Sequence, residues 1–122
     1  MTKPEEDISG TFVGSPVYMA PEVHEQKSIY NRKADIYSLA MVLWEMWYGI
    51  AVNDELDSRI RGRLSVHIRN GIRPLFKTDG FTKPPDTWIE LIEQCWHENP
   101  NFRPKASKIF DFFTSELATK NV

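Results

Sequence analysis

The chain has 122 residues, of which 15 are Lys or Arg and 17 are Asp or Glu, for a formal net charge of −2. That near-balance argues against a basic nucleic-acid binder and against an acidic disordered tail. Hydrophobic residues make up 41% and charged residues 26%, with four Trp, four Tyr and seven Phe, the make-up of an ordinary globular domain rather than a disordered one.

Cys95 is the sole cysteine, so an internal disulfide and a multi-cysteine zinc site are both excluded. A reducing, cytoplasmic compartment is expected. The opening Met1-Thr2-Lys3-Pro4-Glu5-Glu6-Asp7 has no apolar core and does not read as a secretory signal. The most apolar stretch, Ile36 to Val52, carries Glu45 and falls short of the roughly 20 apolar residues that a membrane span needs.

Residues 1–21 hold Gly10, Gly14, Pro16 and Pro21 and lack a sustained period, so they read as irregular. Thr11, Val13 and Val17 alternate as in a short strand, which Pro16 would confine to an edge. Residues 33–48 read as a helix. Ile36, Leu39, Ala40, Leu43, Met46 and Trp47 mark one face, and the other face, with Tyr37, Met41, Trp44 and Tyr48, is apolar too. A helix apolar all round is wrapped on every side. Gly49 is its expected cap.

Residues 55–70 read as a second, amphipathic helix, with Leu56, Ile60, Leu64 and Ile68 every four residues. Glu55–Arg59 and Asp57–Arg61 form favourable i,i+4 pairs there. Gly71 and Pro74 end it. A loop over 75–85 leads to a third helix over 86–97, with Trp88, Leu91, Ile92, Cys95 and Trp96 on one face. Asn99-Pro100-Asn101 breaks it. A fourth helix over 104–117 has Pro104 in its first turn and Ala106, Ile109, Phe110, Phe113 and Leu117 as its face, leaving 118–122 as a frayed tail. Three amphipathic helices offer one face each and cannot wrap the first completely, so the pattern implies that further elements cover it.

Four motifs stand on these elements in order. They are Gly14-Ser15-Pro16-Val17-Tyr18-Met19-Ala20-Pro21-Glu22, Lys33-Ala34-Asp35-Ile36-Tyr37-Ser38-Leu39-Ala40, Gly71-Ile72-Arg73-Pro74, and Cys95-Trp96-His97-Glu98-Asn99-Pro100-Asn101-Phe102-Arg103-Pro104. Together they resemble the C-terminal half of the C-lobe of a eukaryotic protein kinase over residues 8–117. The first is similar to the end of an activation segment closing in Ala-Pro-Glu. The resemblance implies a mainly helical, incomplete C-lobe portion of the protein-kinase-like fold without the N-lobe sheet. Residues 1–22 would be the end of the activation segment and the loop beside the substrate, 23–117 the helical subdomain, and 118–122 a tail.

By the same resemblance, Glu22 pairs with Arg103, whose planar fork suits a carboxylate bidentately. Asp35 would anchor the catalytic loop by accepting its backbone N–H groups, although an Asp near a helix start also serves as an N-cap. The family carries Gly where this chain has Ala40. Ser15, Pro16, Val17, Tyr18 and Met19 would line the substrate pocket. This stretch looks Ser/Thr-kinase-like, whereas Gly71–Pro74 and Cys95–Pro104 look tyrosine-kinase-like, a mixture typical of the tyrosine-kinase-like group, with Ser/Thr or dual specificity. Ser9 and Thr11 lie where activation-loop phosphosites cluster, and unmodified turn hydroxyls are the equal alternative.

Phosphoryl transfer needs a nucleotide cradle, a phosphate-binding Lys, a catalytic Asp and Mg²⁺ ligands. The chain has no Gly-x-Gly-x-x-Gly, Val-Ala-Ile-Lys, His-Arg-Asp or Asp-Phe-Gly; Asp79-Gly80-Phe81 and His67-Ile68-Arg69 are scrambles outside the right order. It is therefore expected to hold no cofactor and no catalytic residue, with ATP and Mg²⁺ belonging to a parent kinase that phosphorylates protein substrates. His24, His67 and His97 lack metal-ligand spacing. Arg59, Arg61, Arg63, Arg69 and Arg73 form a basic cluster, read as a solvated face or a regulator-docking helix over 55–70 rather than a nucleic-acid patch. The alternative to a kinase part is a non-catalytic truncated or pseudokinase module that binds partners.

Overall fold

Asn31 starts the longest helix. In the computed structural model, which describes residues 16–25 and 31–120, its Oδ1 accepts from the amides of Lys33 at 2.9 Å and Ala34 at 3.2 Å. Two of the orphan donors at the helix start are thereby satisfied. The cap is thus Asn31, and Asp35 lies one turn inside. Helix α2, Arg32–Tyr48, then runs to Gly49, whose φ of +71° suits a left-handed cap and whose amide donates to the Glu45 carbonyl. Before it come a 3₁₀ turn, Pro16–Tyr18, and a short α1, Pro21–His24. After it come α3 (Val52–Asp57), α4 (Leu64–Arg69), α5 (Asp86–Cys95), a 3₁₀ turn at Pro100–Phe102 and α6 (Ala106–Lys120). Among the described residues there is no strand. Val17 lies in the 3₁₀ turn with its side chain in the core, and Thr11 and Val13 fall outside the described residues.

Helix α2 is the core. Ala34, Ile36, Tyr37, Ala40, Met41, Leu43, Trp44 and Tyr48 are buried, and the buried faces of α3, α4 and α5 close on them through Val52, Leu56, Ile68, Leu91, Ile92 and Cys95. Three ring donors of α2 strap the long 72–85 loop across it. Trp44 Nε1 donates to the Leu75 carbonyl at 3.0 Å, Tyr48 Oη to Lys77 at 3.0 Å and Trp47 Nε1 to Thr82 at 2.7 Å. The indole and phenol groups thereby keep their hydrogen bonds while their rings pack.

The wrapping is incomplete along one stripe. Asp35 and, at helical spacing, Val42 (40% exposed) and Met46 (75%) face outward, with Leu39 half-buried between them. Beside Met46, a groove of about 350 Å³ is lined by Leu43, Trp47, Trp88 and Phe113.

Two expected helices are corrected. Residues 55–70 are not one helix but α3, which begins earlier at Val52, and α4. Gly62 (φ +68°) and Arg63 (φ +56°) are both left-handed, which no continuous right-handed helix admits. Asp57 therefore accepts from Asn53 at 3.2 Å instead of pairing with Arg61. Helix α6 starts at Ala106, two residues past Pro104, and continues to Lys120. Its inward face is Ile109, Phe112 and Phe113, because the Trp88 ring seats Phe113 (5.0 Å between centroids) and Phe112 (6.4 Å). Phe110 (69% exposed) and Leu117 (63%) point away from the core. Helix α5 ends at Cys95, with Trp96 as its cap.

Candidate functional site

Proline and the 3₁₀ turn bring residues 16–22 across α2, where Tyr18 meets Ser38 and Glu45. The Met19 amide donates to the Pro16 carbonyl at 3.0 Å, and Val17 is buried. Tyr18 is fixed at both ends. Its carbonyl accepts from Ser38 Oγ at 2.5 Å, and its hydroxyl donates to Glu45 Oε2 at 2.5 Å. Ser38 and Glu45 are seven residues, about 10 Å, apart along the axis, so the tyrosine lies along the helix. Burial, then the Glu45 carboxylate, pushes the Tyr18 hydroxyl up to about 12. Glu45 Oε2 also accepts from the Val52 amide at 2.8 Å, capping the start of α3. Pro16, Tyr18 and Met19 stay part-exposed, leaving a rigid turn with an open outer face.

Glu22 and Arg103 meet. Arg103 Nη1 and Nη2 each donate to a separate Glu22 carboxylate oxygen at 2.8 Å. The buried guanidinium also donates to the carbonyls of Lys33 at 2.8 Å and His97 at 2.8 Å, so the charge is fully engaged. Lys33 Nζ returns a bond to the Arg103 carbonyl at 2.5 Å. Arg73 donates to the carbonyls of Ile68, Ile72 and Trp96, tying the end of α4 to the end of α5. The guanidinium carbons of Arg73 and Arg103 lie 5.0 and 5.3 Å from the centroid of the buried Tyr37 ring, within cation–π reach. All four sequence motifs therefore converge on one phenol. Burial raises its hydroxyl to about 12, against the two arginines, which pull it down.

Asp35 lies on the exposed stripe of α2, and its carboxylate has no partner among the described residues. Ser9, Thr11 and Ser15 fall outside the described residues. Ala40 is fully buried, so a methyl group fits at the position where the family carries Gly.

Of the basic cluster, Arg59 clamps the buried Glu55 through Nε at 2.9 Å and Nη2 at 2.8 Å, and Lys77 Nζ approaches the same carboxylate at 3.7 Å. Arg73 is absorbed as described. Arg61, Arg63 and Arg69 remain exposed, with no ion pair among the described residues. Among the described residues, no group of three or more His, Cys, Asp or Glu side chains is placed to hold a metal ion.

The protein kinase domain model matches residues 1–112 of the chain. The chain belongs to the protein kinase family. This kinase chain is 33% identical over 104 residues to probable serine/threonine-protein kinase roco8 of Dictyostelium discoideum, covering 85% of this chain and 5% of that protein. It is 34% identical over 104 residues to dual specificity protein kinase shkA of the same organism, covering 85% and 18%. To integrin-linked protein kinase 1 of Arabidopsis thaliana it is 36% identical over 95 residues, covering 78% and 19%. The kinase chain thus spans less than a fifth of each of these relatives. Its helical architecture is that of a C-lobe portion.

Sequence reasoning missed Ser38, Glu45 and His24 as anchors of the 16–22 turn. One signal was available: a lone carboxylate inside an apolar helix needs donors, and Glu45 has two. No helix among the described residues is long and apolar enough to cross a membrane.

Proposed function

We propose that this chain forms the substrate-side floor of a catalytic domain whose parent transfers the γ-phosphoryl group of ATP to protein Ser or Thr, with Tyr open as a second acceptor. The observation that supports this reading is the Pro16–Met19 turn, pinned to α2 through Ser38 and Glu45 and to the far helices through Glu22–Arg103. Such a turn is rigid where an acceptor segment would lie, and positioning is most of what phosphoryl transfer asks of a protein. The serine/threonine and dual-specificity names of the relatives favour the same acceptors. ATP and Mg²⁺ would be held by other segments of the parent, whose remaining helices would cover the Asp35–Leu39–Val42–Met46 stripe, with cytoplasmic residence. Asp35 would hold the catalytic loop. A second reading, a non-catalytic interaction module, is favoured by the exposed Arg61, Arg63 and Arg69, which would dock an acidic regulator.

The test is a phosphotransfer assay with Mg-ATP and mixed Ser-, Thr- and Tyr-containing peptides. It is run on the 122-residue chain and on the product of its complete reading frame. The longer product is expected to phosphorylate Ser and Thr peptides while the chain alone does not. Activity of the isolated chain would overturn the scaffold assignment. Inactivity of both would leave the interaction module.

A further inference from the structure

Ser65 sits on the exposed side of α4, with its hydroxyl 2.8 Å from His24 Nδ1. The other imidazole nitrogen, Nε2, lies 3.0 Å from the Pro16 carbonyl, so His24 joins α4 to the 16–19 turn. A carbonyl only accepts, so Nε2 carries the proton and the neutral ring accepts from Ser65 through Nδ1. Arg61 and Arg63 lie four and two residues before Ser65, exposed and without ion-pair partners among the described residues. Arg69 lies one turn after it on the same helix face. Gly62 and Arg63 hold left-handed backbone, so the approach to Ser65 is a non-helical, exposed segment.

We propose that Ser65 is a phosphate acceptor site for a protein kinase with an acidic, arginine-reading substrate cleft, and that the phosphate is held by His24 and Arg69. Arg61 and Arg63 supply the charge that such a cleft reads. In the transfer, the bond from the γ-phosphorus to the bridging oxygen of a nucleoside triphosphate breaks. A bond from phosphorus to Ser65 Oγ forms, the hydroxyl proton passes to the base of the modifying enzyme, and the nucleoside diphosphate leaves. His24 then takes a proton from solvent at Nδ1 and donates to the phosphate while Nε2 keeps its bond to Pro16. The added charge is thereby linked to the 16–19 turn through one imidazole. The acceptor assignment stands whether or not that turn seats a substrate.

The chain is incubated with an arginine-directed serine kinase and Mg-ATP, and the product is mapped by mass spectrometry. Ser65 is expected to carry the phosphate. Arg61→Gln and Arg63→Gln, together and singly, change exposed side chains only. The double variant, checked for native helicity by circular dichroism, is expected to be modified at least about ten-fold more slowly, the ratio corresponding to one charge-assisted hydrogen bond. Nuclear magnetic resonance of the imidazole is expected to show the His24 midpoint rising by about one unit or more on phosphorylation. Phosphate absent from Ser65, or added equally fast to the arginine variants, would overturn the site. An unmoved His24 midpoint in the phosphorylated chain would overturn the link to the turn.

Discussion

The Tyr18 hydroxyl and the Glu45 carboxylate, 27 residues apart, share a hydrogen bond of 2.5 Å, and the same oxygen caps the amide of Val52. One carboxylate thus sets the position of the 16–19 turn and the start of α3 together. Tyr18→Phe removes a single charge-assisted bond at a part-exposed site, and about 1–2 kcal/mol of stability should be lost. Glu45→Ala strands both donors and should cost more than Tyr18→Phe, with Glu45→Gln in between. Urea unfolding of the three variants checks the order; equal losses would mean that the two bonds are not held in common.

Glu22 and Arg103 give a second, larger effect. Truncating either member of a buried pair costs about 3–5 kcal/mol. Arg103→Ala should be the worse of the two, because the carbonyls of Lys33 and His97 also lose their donor. Arg103→Lys should not restore stability, since a single ammonium cannot reach both oxygens of Glu22 and those carbonyls. In a double-mutant cycle, the sum of the single losses should exceed the double loss by about 0.5–3 kcal/mol. Additive losses would remove the pairing.

His24 makes stability depend on pH. Burial, opposed by its bond to Pro16 and reinforced by Arg69, holds its ionisation below the ordinary 6.5. The unfolded chain therefore binds the proton first as pH falls. The stabilisation is complete above 6.5, is lost as pH drops from 6.5 to the lower folded value, and is constant below that. A chevron or urea series from pH 8 to 5 should show the loss in wild type, and His24→Gln should flatten that part of the profile.

Cys95 is fully buried, and burial pushes its thiol up to about 12 despite Arg103 and Lys108. The native protein should resist maleimide at pH 7–8, where the thiolate is the nucleophile. Labelling should appear only in denaturant, at a midpoint matching the unfolding curve. Fast native labelling would place Cys95 outside the core.

The Val42–Met46 stripe should bind a hydrophobic dye and drive self-association in the isolated chain. Met46→Lys should lower both while changing the stability of this chain by no more than about 0.5 kcal/mol. In a parent kinase of the kind proposed above, the same substitution should be destabilising, because there the stripe would be covered. A monodisperse wild-type chain without dye binding would count against an open seam.

Amino-acid order alone determined that Ile36 to Tyr48 is an oily helix and that Trp88 to Trp96 has one buried face, and the resemblance carried by its motifs implied that Glu22 belongs with Arg103. Each rests on residue type at short range or on motif order, which survive without coordinates. The tertiary structure alone decided the rest. An even four-residue spacing from Leu56 to Ile68 gives no sign that Gly62 and Arg63 turn left-handed. Two short helices can bury those side chains as well as one long helix can. Periodicity likewise cannot choose between Phe110 and Phe112, because both lie near an apolar stripe; the Trp88 ring chose Phe112 and Phe113. Nor could local pattern show that four motifs meet at Tyr37, since a cation finds an aromatic face only when distant segments are packed together.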